Sequence, residues 1–551
     1  MAKQAVALRE RTDWREPETA HKKRVEVVPW RPLGERGLLW VIAIAGLLLL
    51  ALFVARHFDE YLRRTLESKI NQRLHGYSAS IGHAHLSPLG LSVTLERAVI
   101  RQQANPQPPV ADLPSLTASV EWRQILHGHL VADATFDRPR VHINLPQLRK
   151  EARDQVKLTD RGWQDALEAI YPLKFNLVEV HNGDLVYIDV DPQRPLHVSR
   201  WNFVASNIRN IQSAQHVYPS PIHSDGVIFD HGSGVLNGHA DFLAKPYPAF
   251  QAVYKVESVP LDRLRPIVQR EDLTLSGGIL ASHGDFEYGP QRRHVHVADV
   301  VVQKLLLDYT HKPAAPAPVE KAVAKAAKNP QPAVPVQVDR LRLANSRLGL
   351  ISWAKDRRFR VYVSSANLDV TNLSSGFRQG AAKASLTGLF NGSGATRGNA
   401  TFRDDSKGPD FNLKVEIEGA NLTSINDLLQ AYGKFDVAKG TFSVYSEVHV
   451  SNGRITGYVK PLFKDIQVYS PQQDKNKPVL KKIYEKIVGG LAHLLKNRPR
   501  EQVATETDLS GTIQNPNTNT WQIIVNLVSN AFIKAILPGF EREYEAVKKR
   551  L

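Results

Sequence analysis

The chain has 551 residues, room for roughly two to four domains, and at 42% hydrophobic and 23% charged it is neither a disordered chain nor a polytopic membrane protein. It has no cysteine, which excludes thiol nucleophiles, disulfides, iron–sulfur clusters and cysteine-ligated zinc. Lys and Arg number 71 against 55 acids, a net charge of +16, but they are scattered with no run beyond Lys22-Lys23-Arg24 or Lys548-Lys549-Arg550, so nucleic acid is set aside as a partner.

Residues 1–37 form a basic tail with nine Lys and Arg. Residues 38–55, from Leu38 to Ala55, are 18 residues without a charge, about 27 Å as a helix and close to the hydrocarbon thickness of a bilayer. Arg36 and Arg56 bracket the segment, and Trp40 sits where an interfacial aromatic is favoured. The bulky stretch from Phe53 to Phe58 offers no small-residue cleavage site, which predicts a retained transmembrane helix and not a cleaved signal. Basic residues lie on both sides, so charge favours a cytoplasmic N-terminus only slightly, and the 496 residues that follow one span read as an exported domain.

Asp59–Gly76 reads as a juxtamembrane helix within an N-terminal region, 56–174. From about residue 80 the pattern has a period of two, as in Leu91-Ser-Val93-Thr-Leu95, Phe411-Asn-Leu413-Lys-Val415-Glu-Ile417 and Phe442-Ser-Val444. Such alternation predicts strands with one apolar and one wet face, and a mainly β, mostly antiparallel architecture. The dipeptides Asn182-Gly183, Asn237-Gly238, Asn391-Gly392 and Asn452-Gly453 are read as turns that separate strands.

An internal repeat is visible. The stretch from Phe175 through Asn182 to Ile188 aligns with Val338 through Asn345 to Ile351, an offset of 163, and Asn202 and Asn207 then match Asn367 and Asn372. Gly232-Ser-Gly234 recurs as Gly392-Ser-Gly394, Phe250 and Leu261 as Phe411 and Leu422, and Gly277 as Gly440. A collinear series of this kind points to duplication, with a first repeat over 175–311 and a second over 336–475. Between them, residues 312–335 hold six prolines and eight alanines and read as a linker. In the closing region, 476–551, apolar residues recur at helical spacing from Leu480 to Leu495 and again over Leu527–Leu537, which predicts amphipathic helices.

No nucleotide-binding loop, zinc-protease motif or nucleophile elbow is present. His83 with His85, His127 with His129, and His294 with His296 each place two imidazoles on one strand face, but no third ligand is spaced nearby, and they read as solvated strand residues. Asp189, Asp191, Asp404 and Asp405 read as turn residues. No enzyme activity and no cofactor or metal are expected.

The order of elements resembles the AsmA-like bacterial envelope proteins, in the branch known as a domain of unknown function. After the anchor come Leu86-Ser-Pro-Leu-Gly-Leu-Ser-Val-Thr-Leu-Glu-Arg-Ala-Val-Ile100, then Phe136-Asp-Arg-Pro-Arg-Val-His-Ile143, the two repeats, and Lys460-Pro-Leu-Phe-Lys-Asp-Ile-Gln-Val468 near the close. The resemblance covers about residues 38–540. It implies a single-pass inner-membrane protein of a Gram-negative bacterium with its bulk in the periplasm, and curved sheets that form an apolar-lined groove linked to phospholipid transport and envelope homeostasis. The residues expected to line that groove are Leu91, Val93 and Leu95; Val295 and Val297; Leu341, Leu343, Val361 and Val363; Phe411, Leu413, Val415 and Ile417; and Phe442, Val444, Val448 and Val450. Carrying a 16-carbon acyl chain through water costs about 12 kcal/mol, which such a face would remove without a catalytic group. The same alternation also suits a closed β-sandwich core, or a scaffold that holds envelope protein partners by strand addition.

Overall fold

The computed structural model describes residues 58–87, 92–120, 131–147, 174–189, 193–208, 218–242, 248–269, 272–290, 292–311, 334–354, 357–406, 408–433, 437–468, 502–504 and 507–512, with Gly46 and Ala244 besides. Apart from the helical Gly46, the expected span 38–55 lies outside these residues, as do the expected helices over 480–495 and 527–537 and most of the linker. Among the described residues no helix is long and apolar enough to cross a membrane.

The chain is mainly β, and its described strands join in one mixed sheet. The ladder begins with β1 (Tyr77–Ser80) and β2 (His83–Ser87), both antiparallel to β3 (Ser92–Gln102), which pairs with β4 (Ala111–Val120). Next to β4 lie β5 (Val131–Asp137) and β6 (Arg140–Asn144), and both run parallel to β7 (Lys174–Ile188). From there consecutive strands pair antiparallel: β8 (Leu196–Ser206), β9 (Ser220–Ile228), β10 (Gly232–Asp241), β11 (Ala249–Pro260), β12 (Leu273–Tyr288) and β13 (Arg293–Thr310).

β13 then runs parallel to β14 (Val336–Ala354). The antiparallel order resumes through β15 (Arg357–Ser374), β16 (Ala382–Phe390), β17 (Gly394–Phe402), β18 (Phe411–Asn421), β19 (Val437–Ser451) and β20 (Arg454–Val468). β21 (Gln502–Ala504) and β22 (Thr507–Thr512) both border β20. The antiparallel expectation thus holds along most of the ladder, and the parallel steps at β5–β7, β6–β7 and β13–β14 are not foreseen in the sequence.

The two repeats pass through the same elements: β7–β13 and β14–β20 are seven strands each, with a helical turn after the fifth. In the first the turn is Leu261–Leu264 leading into α2 (Arg265–Val268); in the second it is Leu422–Ile425 leading into α3 (Asn426–Gly433), with α1 denoting residues 58–73. Left-handed backbone recurs at matched positions, Asn182 (φ 56) with Asn345 (φ 48), and Asn207 with Asn372 (both φ 54), a conformation that asparagine tolerates better than most residues. Bulges interrupt the register along the ladder, at Val180/Gly183, Val256/Val259, Leu343/Ser346, Ser364/Asn367 and Ile417/Ala420 among others, and each bends its strand and increases its twist.

Of the four Asn-Gly signals, two are turns. Asn391-Gly392 and Asn452-Gly453 close hairpins with positive φ at both residues, as a type I′ turn requires. The other two lie inside strands. Asn182 is the left-handed residue of a bulge in β7, and Gly238 is in β10 because a Cβ there would collide with the backbone of Gln251 and Ala252 on β11.

Apolar residues gather in clusters built from neighbouring strands, several of them capped by a helix. Leu66, Ile70 and Leu74 recur every fourth residue along and just past α1 and pack on Val93, Leu95 and Leu116. Asn71 fastens this helix to β1, accepting from the Ala79 N–H at 2.7 Å and donating to its carbonyl at 2.8 Å. Leu261 packs with Leu275, Val302 and Leu305, and Leu264 and Val268 flank them. Leu422, Ile425, Leu428 and Leu429 seal Phe390, Ile417, Phe442 and Val444. Two further clusters, around Phe411, Val448 and Val450 and around Ala205, Ile222 and Ala240, draw only on adjacent strands and their loops. None of these five clusters joins two layers of strands face to face, as a sandwich core would.

Candidate functional site

Because side chains alternate across a strand, the pairing register defines ranks that run across the sheet on one face. One rank starts on β13 at Val300 and passes through Leu341, Val370, Ala384 and Ala400 to Leu413 on β18. It continues through Val448 and Gly457 to Leu509 on β22. The next rank over runs from Val302 through Leu343, Leu368, Leu386 and Gly398 to Val415, Ser446 and Val459. At about 4.8 Å per strand, the eight strands β13–β20 carry these ranks some 34 Å. Every member is apolar or small, and Ser446 is the only hydroxyl.

Most members are half-buried. Val302, Val370, Val448 and Val459 are buried, while Leu343, Leu368, Leu386, Leu413 and Val415 keep part of their surface open. A contiguous apolar surface of this kind is costly to leave in water and marks a place where something apolar is received.

The expected groove residues fall into groups. Leu341, Leu343, Leu413, Val415 and Val448 stand in the two ranks. Val361 and Val363 pair with Leu350 and Leu348 one step toward the helix-capped end, and Val361 packs against the α3 cluster. Ile417, Phe442 and Val444 are buried together with α3, and Phe411 and Val450 are buried in the adjoining cluster. Val93 and Leu95 are covered by α1, far along the ladder. Val295 is half-buried and Val297 buried near the start of β13, beyond the bulge at His283/Gly284. Leu91 lies outside the described residues.

Sequence reasoning missed Val300, Val302, Leu368, Val370 and Leu386. In Val300-Val301-Val302 an unbroken apolar run hides which valines share a face. In β16, Ala384 and Gly388 on either side of Leu386 weaken an alternation that is nevertheless there.

The opposite face is polar and laced with ion pairs. Arg340 pairs with Asp369 and Arg342 with Asp299. Asp308, nearly buried, receives Arg360 in a two-pronged contact at 2.8 Å to each oxygen. His296 stands between two carboxylates, Nδ1 2.7 Å from Asp285 and Nε2 2.9 Å from Asp339, and these contacts raise its pKa above the ordinary histidine value, Asp285 contributing most. Among the described residues no group of three His, Asp or Glu is arranged to hold a metal ion. Comparison with family models, curated proteins and solved structures finds no match to this chain.

Proposed function

We propose that this chain is an AsmA-like, inner-membrane-anchored envelope protein that holds phospholipid acyl chains along the apolar ranks of β13–β20. In this reading residues 38–55 are the anchor, the N-terminus is cytoplasmic and the sheet lies in the periplasm. The recurrent bulges bend the strands so that the apolar face becomes the inside of an open trough. The observation that carries the proposal is the unbroken apolar rank from Val300 to Leu509, half-open along most of its length and not faced by a second layer of strands among the described clusters. An acyl chain of 16 carbons gains about 12 kcal/mol when its methylenes leave water, so a face of valine and leucine needs no catalytic group to carry it.

The test is photo-crosslinking in cells with benzoylphenylalanine placed on the full chain at Leu413 or Val415, and at Lys414 on the polar face as the control. Phospholipid adducts at the first two positions and none at Lys414 support the proposal. Adducts only to protein at all three positions would replace it with a scaffold that binds envelope proteins.

A further inference from the structure

The polar face of the second repeat is not flat. Three cavities of about 290, 500 and 470 Å³ follow one another across β15–β20. The first and second share Asn399 and Thr401, and the second and third share Lys414 and Tyr458, so they form one cleft. Six strands at about 4.8 Å spacing make it some 24 Å long.

Its lining mixes both signs, three lysines against two glutamates, and its central lysine is paired. Lys414 Nζ lies 3.1 Å from Glu416 and 3.4 Å from Glu447, and these carboxylates hold the lysine protonated. A polyanion entering the cleft would meet both glutamates, and a polycation would meet Lys383, Lys414 and Lys460. What the cleft offers in quantity is neutral hydrogen bonding: hydroxyls of Thr371, Ser385, Thr401 and Thr456 and amides of Asn399 and Asn412. Two aromatic rings, Tyr445 and Tyr458, stand at its β19–β20 end. The Tyr445 hydroxyl donates to Glu418 at 3.0 Å, which fixes that ring. Tyrosine supplies a flat apolar face with a polar tip, and amides and hydroxyls both donate and accept. That combination suits a ligand with a flat apolar side and a rim of hydroxyls.

We propose that this cleft binds a neutral oligosaccharide, with Tyr458 as the stacking platform and Asn399 as a hydrogen-bonding partner, joined by the NH2 of Asn412, whose Oδ1 is already engaged by His449 Nδ1. The polar side chains named stand on the face opposite the apolar ranks. Rank members such as Ala400, Leu413, Val415 and Val448 also border the cavities, since side chains alternate and their strands form the floor. The proposal stands whether or not the ranks carry lipid.

Calorimetric titration of the full chain in detergent tests it, with maltotetraose, chitotetraose and mannotetraose as neutral probes and a heparin tetrasaccharide as the anionic one. At least one neutral tetrasaccharide should bind more tightly than about 1 mM. Tyr458→Ala should weaken that binding about tenfold, while Tyr458→Phe retains most of it. Asn399→Ala changes an exposed side chain on another strand and should weaken it severalfold without touching the fold. Binding of heparin alone, binding of no neutral probe, or neutral binding that ignores both Tyr458→Ala and Asn399→Ala overturns the proposal.

Discussion

Asn367 accepts the backbone N–H of Asn345 through Oδ1 at 3.2 Å, and in the first repeat Asn202 accepts that of Asn182 at 3.1 Å. Each side chain also donates to a carbonyl on its own strand, Ser365 and Arg200 respectively. The residues accepting or donating these bonds flank paired bulges, where the ladder's own hydrogen bonds are lost, so one amide replaces both a missing acceptor and a missing donor.

From this, Asn367→Ala should cost about 1 kcal/mol in denaturant unfolding, the usual net worth of such bonds at a partly wet site. Asn367→Asp keeps the acceptor and loses the donor, so it should cost less than the alanine. Asn202→Ala should cost somewhat more, because Asn202 also donates to Asp225 Oδ2 at 3.0 Å, and the two losses should add because the sites are far apart along the ladder. Equal stability of Asn367→Ala and the parent protein would show that water replaces the amide fully.

Gly349 on β14 permits a clasp between its two neighbours. Asp308 on β13 reaches across it to Arg360 on β15, and a Cβ built at Gly349 falls on the Asp308 carboxylate. The clasp spans the parallel junction between the repeats. Gly349→Ala should therefore displace Asp308 and destabilise by about 1–2 kcal/mol, although alanine ordinarily suits a strand better than glycine. Asp308→Asn in the same background should cost less than in the parent protein, since the Arg360 clasp is already broken and only the longer 3.8 Å contact with Arg347 remains. A stabilised Gly349→Ala protein would rule the clasp out.

How far the sequence led can be judged from particular residues. Phe411–Ile417 alternates cleanly and is β18, and the Asn182/Asn345 match marks equivalent positions in two equivalent repeats, although the turn expected at Asn182-Gly183 is a bulge inside β7. Ile417 and Val415 look alike in that pattern, yet α3 covers one and leaves the other half-open. Burial by a helix from another part of the chain leaves no mark on a strand's own alternation. The parallel pairing of β13 with β14 is likewise invisible, because it depends on which strand edge remains free after a long connection. Bulges hide the rest: each adds a residue, and from there the sides exchange.

His296 gives the β12–β13–β14 region a pH dependence of definite sign. Asp285 and Asp339 hold its folded-state pKa above 6.5, with His294 and Glu287 close by. A histidine whose pKa is raised on folding stabilises fully below its unfolded value and ceases to do so as pH rises through the folded value. The stabilisation is therefore present in mild acid and lost on the alkaline side of 6.5. Its size is modest, since the His296 side chain is 31% exposed and its partners 40% and 47%. Imidazole NMR should show His296 titrating above 6.5, with Asp285→Asn moving it down more than Asp339→Asn. A midpoint at or below 6.5 in the parent protein would mean that the two carboxylates do not hold the ring in solution.

Gly398 separates occupancy of the apolar face from its stability. It stands in the rank between Leu386 and Val415, and a Cβ built there meets Leu386 Cβ at 3.4 Å, an ordinary contact. Its backbone is not left-handed, so a larger residue fits the strand. Gly457, in the neighbouring rank, could not serve, because a Cβ there would strike the Glu447 carbonyl. Glycine inside a strand is destabilising by roughly 0.5–1 kcal/mol relative to a residue with a side chain. Gly398→Leu should thus leave the unfolding midpoint unchanged or raise it, while its side chain projects from the apolar face beside Val415. If acyl chains lie along these ranks, this variant must lose most of the phospholipid adduct formed by a crosslinker at Val415. A well-folded Gly398→Leu protein with an undiminished lipid adduct would mean that the adduct arises somewhere other than along the rank, and the trough would have no cargo there.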